Sequence, residues 1–352
     1  MLRSSWWKIL AVVLLVYTFT AGMLVPLKTG IYQATPGTAD AGEALTMRIT
    51  GYNTLFDRDP ASLKAWLKLD STSVLAASKL TPINAQDLEA TFQLPAYLPG
   101  GANTQPATLI VAGDAFGNAI YPDAVFLRQQ QANAMAGALA WSRDEITTLP
   151  QAEGITFPFR NILGETIRNT YFHVSLWLSM MIIFIGSVWA SVKYLRTQEI
   201  RYDYQSQALT SAGFFFGILG LITGGIWAQY TWGTFWSFDI KQNMTAVALL
   251  IYGAYFILRG SLDDAEKRAR VASAYNIFAF VALIPLIYVI PRMVDSLHPG
   301  SGGNPALGGE DLDSTMRMIF YPAIIGWALF GVWIASVQYR ARLLHEKLME
   351  RI

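Results

Sequence analysis

Long apolar runs, nearly free of charge, alternate with short polar stretches over the second half of the chain, and one further run opens it. They occupy residues 9–25, 174–192, 209–226, 244–258, 271–290 and 318–337. A helix needs about 20 mostly apolar residues to cross a bilayer, with a range of about 17–25. Six membrane helices are therefore expected. The first run sits at the short limit, and the fourth borrows a turn from the residues before it. Between the first two runs the pattern changes from continuous to alternating. Stretches 45–50, 62–69, 74–80, 88–94, 107–112 and 120–127 alternate apolar and polar positions. Turn signals separate them, such as Asp57-Arg58-Asp59-Pro60 and Leu98-Pro99-Gly100-Gly101. Short strands at this spacing predict an antiparallel β-sandwich, immunoglobulin-like in kind. Residues 133–149 read as a helix or linker.

The expected fold class is an all-α integral membrane protein of six helices. An all-β sandwich is inserted between helices 1 and 2. The divisions fall at 1–26 (first helix), 27–168 (sandwich and linker), 169–339 (five-helix core) and 340–352 (tail). Lys and Arg cluster around residues 3–8, 193–201, 259–270 and 340–351. Basic loops stay on the cytoplasmic side, so both termini are expected inside. Residues 27–168, 227–239 and 291–317 are then expected outside, at a bacterial cytoplasmic membrane. The first run also has some features of a cleaved signal. Its length and the lack of a clean Ala-x-Ala site favour a retained anchor.

Composition narrows the chemistry. Charged residues make up 14% of the 352 and apolar residues 53%, against roughly 25% charged in average soluble proteins. Lys plus Arg is 26 and Asp plus Glu 25, which leaves no basic footprint for nucleic acid. The absence of cysteine excludes disulfides, thiol chemistry and covalent haem attachment. Only His173, His298 and His345 remain as imidazoles. The carboxylates Glu310, Asp311 and Asp313 read as a solvated loop rather than a metal site, and the sandwich carries no catalytic constellation.

Trp227, Tyr230, Trp232, Phe235, Trp236 and Phe238 crowd into twelve residues of an outer loop. Single aromatic residues are ordinary at membrane interfaces, but this density exceeds what anchoring needs. If the loop is partly helical, Trp232 and Trp236 share a face. Such a slab suits a flat polyaromatic ligand such as haem. His173 and His298 are expected on the same side, where two imidazoles are able to supply both axial positions of one haem iron. His345 lies in the charged tail and reads as solvated.

These residues resemble the tryptophan-rich WWD-motif haem-handling proteins of cytochrome c maturation, and among them the CcmC type. The resemblance rests on Trp232-Gly233-Thr234-Phe235-Trp236-Ser237-Phe238-Asp239, on Ile226-Trp227-Ala228 ahead of it, on Tyr171-Phe172-His173-Val174 with Trp177, and on Ser296-Leu297-His298-Pro299. It covers about residues 165–340, together with the first helix by topology. Phe238 stands where the motif has its third tryptophan, and Lys241 stands where arginine is usual. The long segment after the first helix is extra to the type.

The resemblance implies delivery rather than catalysis. Haem b is held transiently at the outer face and passed to a haem chaperone of the CcmE type. An ATP-binding-cassette release complex and a small membrane subunit belong to the same pathway. His173 and His298 would be the axial ligands, and Trp227, Trp232, Phe235, Trp236 and Phe238 the platform. Lys241 and Arg292 are candidates for the propionates, with interfacial snorkelling as the ordinary alternative. Asp239 belongs to the motif, and Asp239-Ile240-Lys241-Gln242 also reads as a helix N-cap with Gln at N3. The competing functions are a membrane b-type cytochrome for electron transfer, a transporter with an aromatic gate, and an adhesion or sensor protein led by the sandwich. No histidine lies inside a predicted helix, and the helices lack the charge that marks a transport pathway. The third competitor leaves the motif unexplained.

Overall fold

A computed structural model describes residues 5–100, 102–130, 137–141, 146, 149–150, 154–161, 163–298 and 312–349. The chain divides into two compact units, one of Met1–Val25 with Glu165–Ile352 and one of Pro26–Gly164. Six helices among the described residues are long and apolar enough to cross a membrane. They are α1 (Trp6–Leu24), α2 (His173–Thr197), α3 (Ile200–Trp232), α4 (Ile240–Gly260), α5 (Ala265–Ile284) and α6 (Ser314–Met349).

Polar partners cover several of the helix ends. Arg168 lies just before α2 in a 3-10 segment, Gly164–Tyr171. Its guanidinium donates to the Gly22 and Val25 carbonyls at 2.8 and 2.7 Å, closing the C-terminus of α1. Two anionic caps open other helices. Asp264 accepts from the Lys267 N–H at the start of α5, and Asp313 accepts from the Met316 N–H in the first turn of α6. At the opposite end of α3, Asp203 and Arg259 of α4 form a buried bidentate pair at 2.7 and 2.5 Å.

Small residues bring the helices together. At Gly213 an added Cβ would meet the Phe184 ring, and at Gly331 it would meet Ile183. The same Phe184 stacks on Tyr252 with centroids 3.9 Å apart and planes 6° from parallel. Asn276 of α5 donates to Ser187, Ser191 and Ser206 and accepts from Thr210, which ties α2, α3 and α5 in a buried hydroxyl cluster. α5 is not regular to its end. A π-turn spans Pro285–Val289 and a 3-10 turn spans Ile290–Arg292.

The second unit is a two-sheet sandwich. One sheet has the order β1-β3-β7-β6 and the other β2-β9-β8-β4-β5. The strands are β1 (Gly30–Thr35), β2 (Thr38–Asp40), β3 (Ala44–Tyr52), β4 (Lys64–Lys68), β5 (Val74–Ala76), β6 (Lys79–Pro82), β7 (Asp87–Gln93), β8 (Thr104–Gly113) and β9 (Gly117–Arg128). Alternation produces the core: in β7, Leu88, Ala90 and Phe92 are fully buried while Glu89 is exposed. The expected strand at 74–80 is two strands, β5 and β6, which belong to different sheets. β2 pairs parallel to β9; all other pairs are antiparallel. In the expected helix or linker at 133–149, the described part holds a 3-10 turn, Ala138–Ala140. Residues 133–136, 142–145 and 147–148 lie outside the described residues.

Candidate functional site

The aromatic cluster forms where α3 ends and α4 begins. α3 continues through Trp232 and stops at Gly233, whose φ of 82° lies in the left-handed region that glycine adopts freely. Trp227 and Trp232 are therefore helical, and only 233–239 is loop. Trp232 and Trp236 do not share a helix face, because the helix ends between them. The ring that joins Trp232 is Trp227, at 5.0 Å between centroids and 75° between planes.

His298 completes this cluster from the far side of α5. Its ring lies 4.8 Å from Trp232 and 5.9 Å from Trp227. The Asp239 carboxylate fixes it, accepting from His298 Nδ1 at 2.8 Å. The same carboxylate accepts from the Lys241 N–H at 2.9 Å and from the Ser296 hydroxyl and Leu297 N–H at 2.8 Å each. Asp239 is thus the N-cap of α4, as expected, and also the anchor of the 296–298 segment. Burial pushes its carboxyl up, but the hydrogen bonds from His298, Leu297 and Ser296 outweigh burial and hold it well below the usual carboxylate range. A carboxylate only accepts, so Nδ1 of His298 carries the proton.

His173 is the first residue of α2. Its Nδ1 lies 2.9 Å from the Gly220 carbonyl and 3.2 Å from Thr223 Oγ1. A carbonyl only accepts, so Nδ1 carries the proton here too and Nε2 is left free. The slot is cut by glycine. A Cβ on Gly224 would stand 2.7 Å from Cε1 of His173, and one on Gly220 would stand 2.7 Å from Nε1 of Trp177. The two imidazoles are within electrostatic range of each other.

The other expected residues are distributed around this pair. Phe235 lies over Gly225, where any Cβ would collide with its ring. Trp236, in the loop after Gly233, is half-buried. Phe238 is 76% exposed and adopts a positive φ of 58°. Lys241 is half-buried, Arg292 is exposed, and Lys241 lies within electrostatic range of Asp239 and Arg292. His345 is exposed in α6, apart from the site. Glu310, Asp311 and Pro299 lie outside the described residues. Among the described residues no group of three or more His, Asp or Glu is placed to hold a metal ion.

Sequence reasoning missed three supports. Gln242, expected as a capping partner, instead accepts from the Ser237 N–H and hydroxyl at 2.9 and 3.1 Å and donates to the Phe235 carbonyl at 3.3 Å, holding the loop from inside. Ser296 and the Gly220–Gly224 slot were also missed. The run Gly220-x-x-Thr223-Gly224-Gly225 was the available signal, since its glycines at fixed spacing on an apolar helix mark close approach.

A family model described as CcmC, heme exporter protein C, matches residues 132–352. The chain is 27% identical over 186 residues to heme exporter protein C of Bradyrhizobium diazoefficiens, covering 52% of this chain and 69% of that protein. It is 35% identical over 139 residues to a putative cytochrome c biosynthesis ccmC-like mitochondrial protein of Marchantia polymorpha, covering 39% of this chain and 58% of that one. To heme exporter protein C of Escherichia coli it is 26% identical over 196 residues, covering 53% and 74%. Strands β1 to β9 fall before the matched residues.

Proposed function

The chain belongs to the CcmC family, heme exporter protein C, and from that premise we propose that it holds haem at the outer face of a bacterial cytoplasmic membrane and hands it on for c-type cytochrome assembly. Membership itself carries the coarser statement, a role in haem handling for cytochrome c biogenesis. The finer reading rests on one observation. His298 is oriented at Nδ1 by Asp239, packed against Trp227 and Trp232, and within electrostatic range of His173, whose Nδ1 is also taken.

The residues fit haem b. With Nδ1 of each imidazole turned to a protein partner, Nε2 is the nitrogen that each would offer to an axial position of iron. Trp227, Trp232, the exposed rings of Phe235 and Phe238, and Trp236 of the same loop offer apolar surface for the macrocycle. Lys241 and Arg292 are cations at the same helix ends, suited to the propionates. Iron chemistry at this site is carriage: bound haem supplies an iron that both imidazoles coordinate, and the chain orients, shields and releases it. The partners in this reading are a haem chaperone of the CcmE type, an ATP-binding-cassette release complex and a small membrane subunit. Residues 27–168 are assigned to the outer side with both termini inside, following the basic loops.

The test is an absorption spectrum of the detergent-purified protein with haem, repeated for His173→Ala and His298→Ala. The expected result is a six-coordinate low-spin spectrum in the unaltered chain, lost in both variants. Unchanged haem content and spectrum in both variants would remove axial ligation by these residues.

A further inference from the structure

The two imidazoles are held in the same tautomer by unequal partners. His298 donates Nδ1–H to a carboxylate at 2.8 Å; His173 donates to a neutral backbone carbonyl at 2.9 Å. Charge-assisted hydrogen bonds are roughly twice as strong as neutral ones. A carboxylate behind an imidazole also raises its basicity as a ligand. The Asp239 carboxylate is not an incidental neighbour of His298. It is 8% exposed, and Ser296, Leu297 and Lys241 fix both of its oxygens.

We propose, resting on the haem-binding reading above, that Asp239 acts through His298 as a positioning residue that makes the two axial sites unequal. His298 is the firm, electron-rich ligand and favours ferric iron. His173, backed by neutral groups alone, the Gly220 carbonyl and the Thr223 hydroxyl, is the exchangeable ligand that yields first when haem is passed on. The imbalance gives a carrier direction: haem stays attached on the Asp239 side while the His173 side opens to an incoming ligand.

The experiment is a spectroelectrochemical titration of the full chain in detergent, loaded with haem. Asp239→Asn keeps an N-cap of similar shape and removes the charge. It should raise the midpoint potential so that the ferrous-to-ferric ratio at a fixed potential grows about tenfold, which is 59 mV for one electron. Ser296→Ala leaves the charge and deletes one hydrogen bond to it, so more charge is turned toward His298 and the potential should fall. Opposite signs are not what loosening of the loop would give. His173→Ala should keep haem as a five-coordinate species, while His298→Ala should lose haem at least tenfold more readily. An unchanged or lowered potential in Asp239→Asn, or an unchanged or raised one in Ser296→Ala, overturns the proposal. So does the reverse order of haem loss in the two histidine variants. If Asp239→Asn does not accumulate, the sign in Ser296→Ala decides. Failure of the underlying reading looks different: the unaltered chain would lack a six-coordinate low-spin spectrum, or both histidine variants would retain it, and the proposal falls with it.

Discussion

Gly224 of α3 lies against the imidazole of His173, so close that a Cβ there would stand 2.7 Å from Cε1 and 3.2 Å from Nδ1. Real Cβ contacts do not come this near, so Gly224→Ala must displace either the ring or the helix. Because Gly220 and Thr223 hold the ring at Nδ1, its movement breaks that hydrogen bond. Gly224→Ala should therefore fold and lose the six-coordinate haem spectrum. Gly253→Ala is the control: nothing lies within 4 Å of a Cβ there. It should keep the spectrum and gain up to about 1 kcal/mol from helix propensity. Haem spectra and thermal unfolding of the two variants side by side check both statements.

The helices were legible because charge-free runs of membrane length have few other readings. Their ends were not. The first turn of α3 carries Arg201 and Asp203, which looks like loop until Arg259, 56 residues on, neutralises Asp203. Trp227 and Trp232 read as loop for a similar reason: a dense aromatic stretch suggests an interface, and nothing before Gly233 marks where the helix stops. The Asp239 cap was visible as Asp-x-x-Gln, a local pattern. Its bond to His298 spans 59 residues and has no local pattern. In the sandwich, residues 74–80 read as one strand, yet the chain changes sheet between Ala76 and Lys79. Alternation reports which face is buried and says nothing about which sheet a strand joins.

Asp203 and Arg259 are both almost wholly buried. Removing one partner leaves an uncompensated charge, which costs about 3–5 kcal/mol. Arg259→Leu should therefore lower the unfolding midpoint of the membrane unit strongly. Restoring neutrality with Asp203→Leu in the same chain should recover most of the loss, since well-packed apolar pairs often replace buried ion pairs without penalty. A double-mutant cycle by thermal unfolding in one detergent measures it. Equal destabilisation by the single and double variants would contradict the pairing.

Asn276 gives a subtler case. Its side chain serves Ser187, Ser191, Ser206 and Thr210, all fully buried or nearly so. Hydrogen bonds between membrane helices average only about 0.6 kcal/mol each. Asn276→Ala strands several hydroxyls at once, so it should cost about 1–3 kcal/mol. Thr210→Val deletes one partner at similar volume and should cost less than about 1 kcal/mol. Thermal unfolding ranks them, and a larger loss in Thr210→Val would show that Asn276 is not the node.

Phe92 in β7 is fully buried within the sandwich core, together with Met47, Ile49, Leu67 and Leu109. Truncation to alanine removes most of a ring from a close-packed interior and should cost about 3–5 kcal/mol. Small domains hold only about 5–15 kcal/mol in total, so Phe92→Ala should expose Pro26–Gly164 to limited proteolysis at temperatures where the unaltered chain resists. The helices form their own compact unit, with one buried cluster of their own that includes Phe184, Phe216 and Tyr252. Their fragment should survive the same digestion intact. Mass spectrometry of the products decides the matter: cuts confined to the sandwich establish two independent cores, while concurrent loss of the helical fragment would mean that the helices draw their stability from the sandwich.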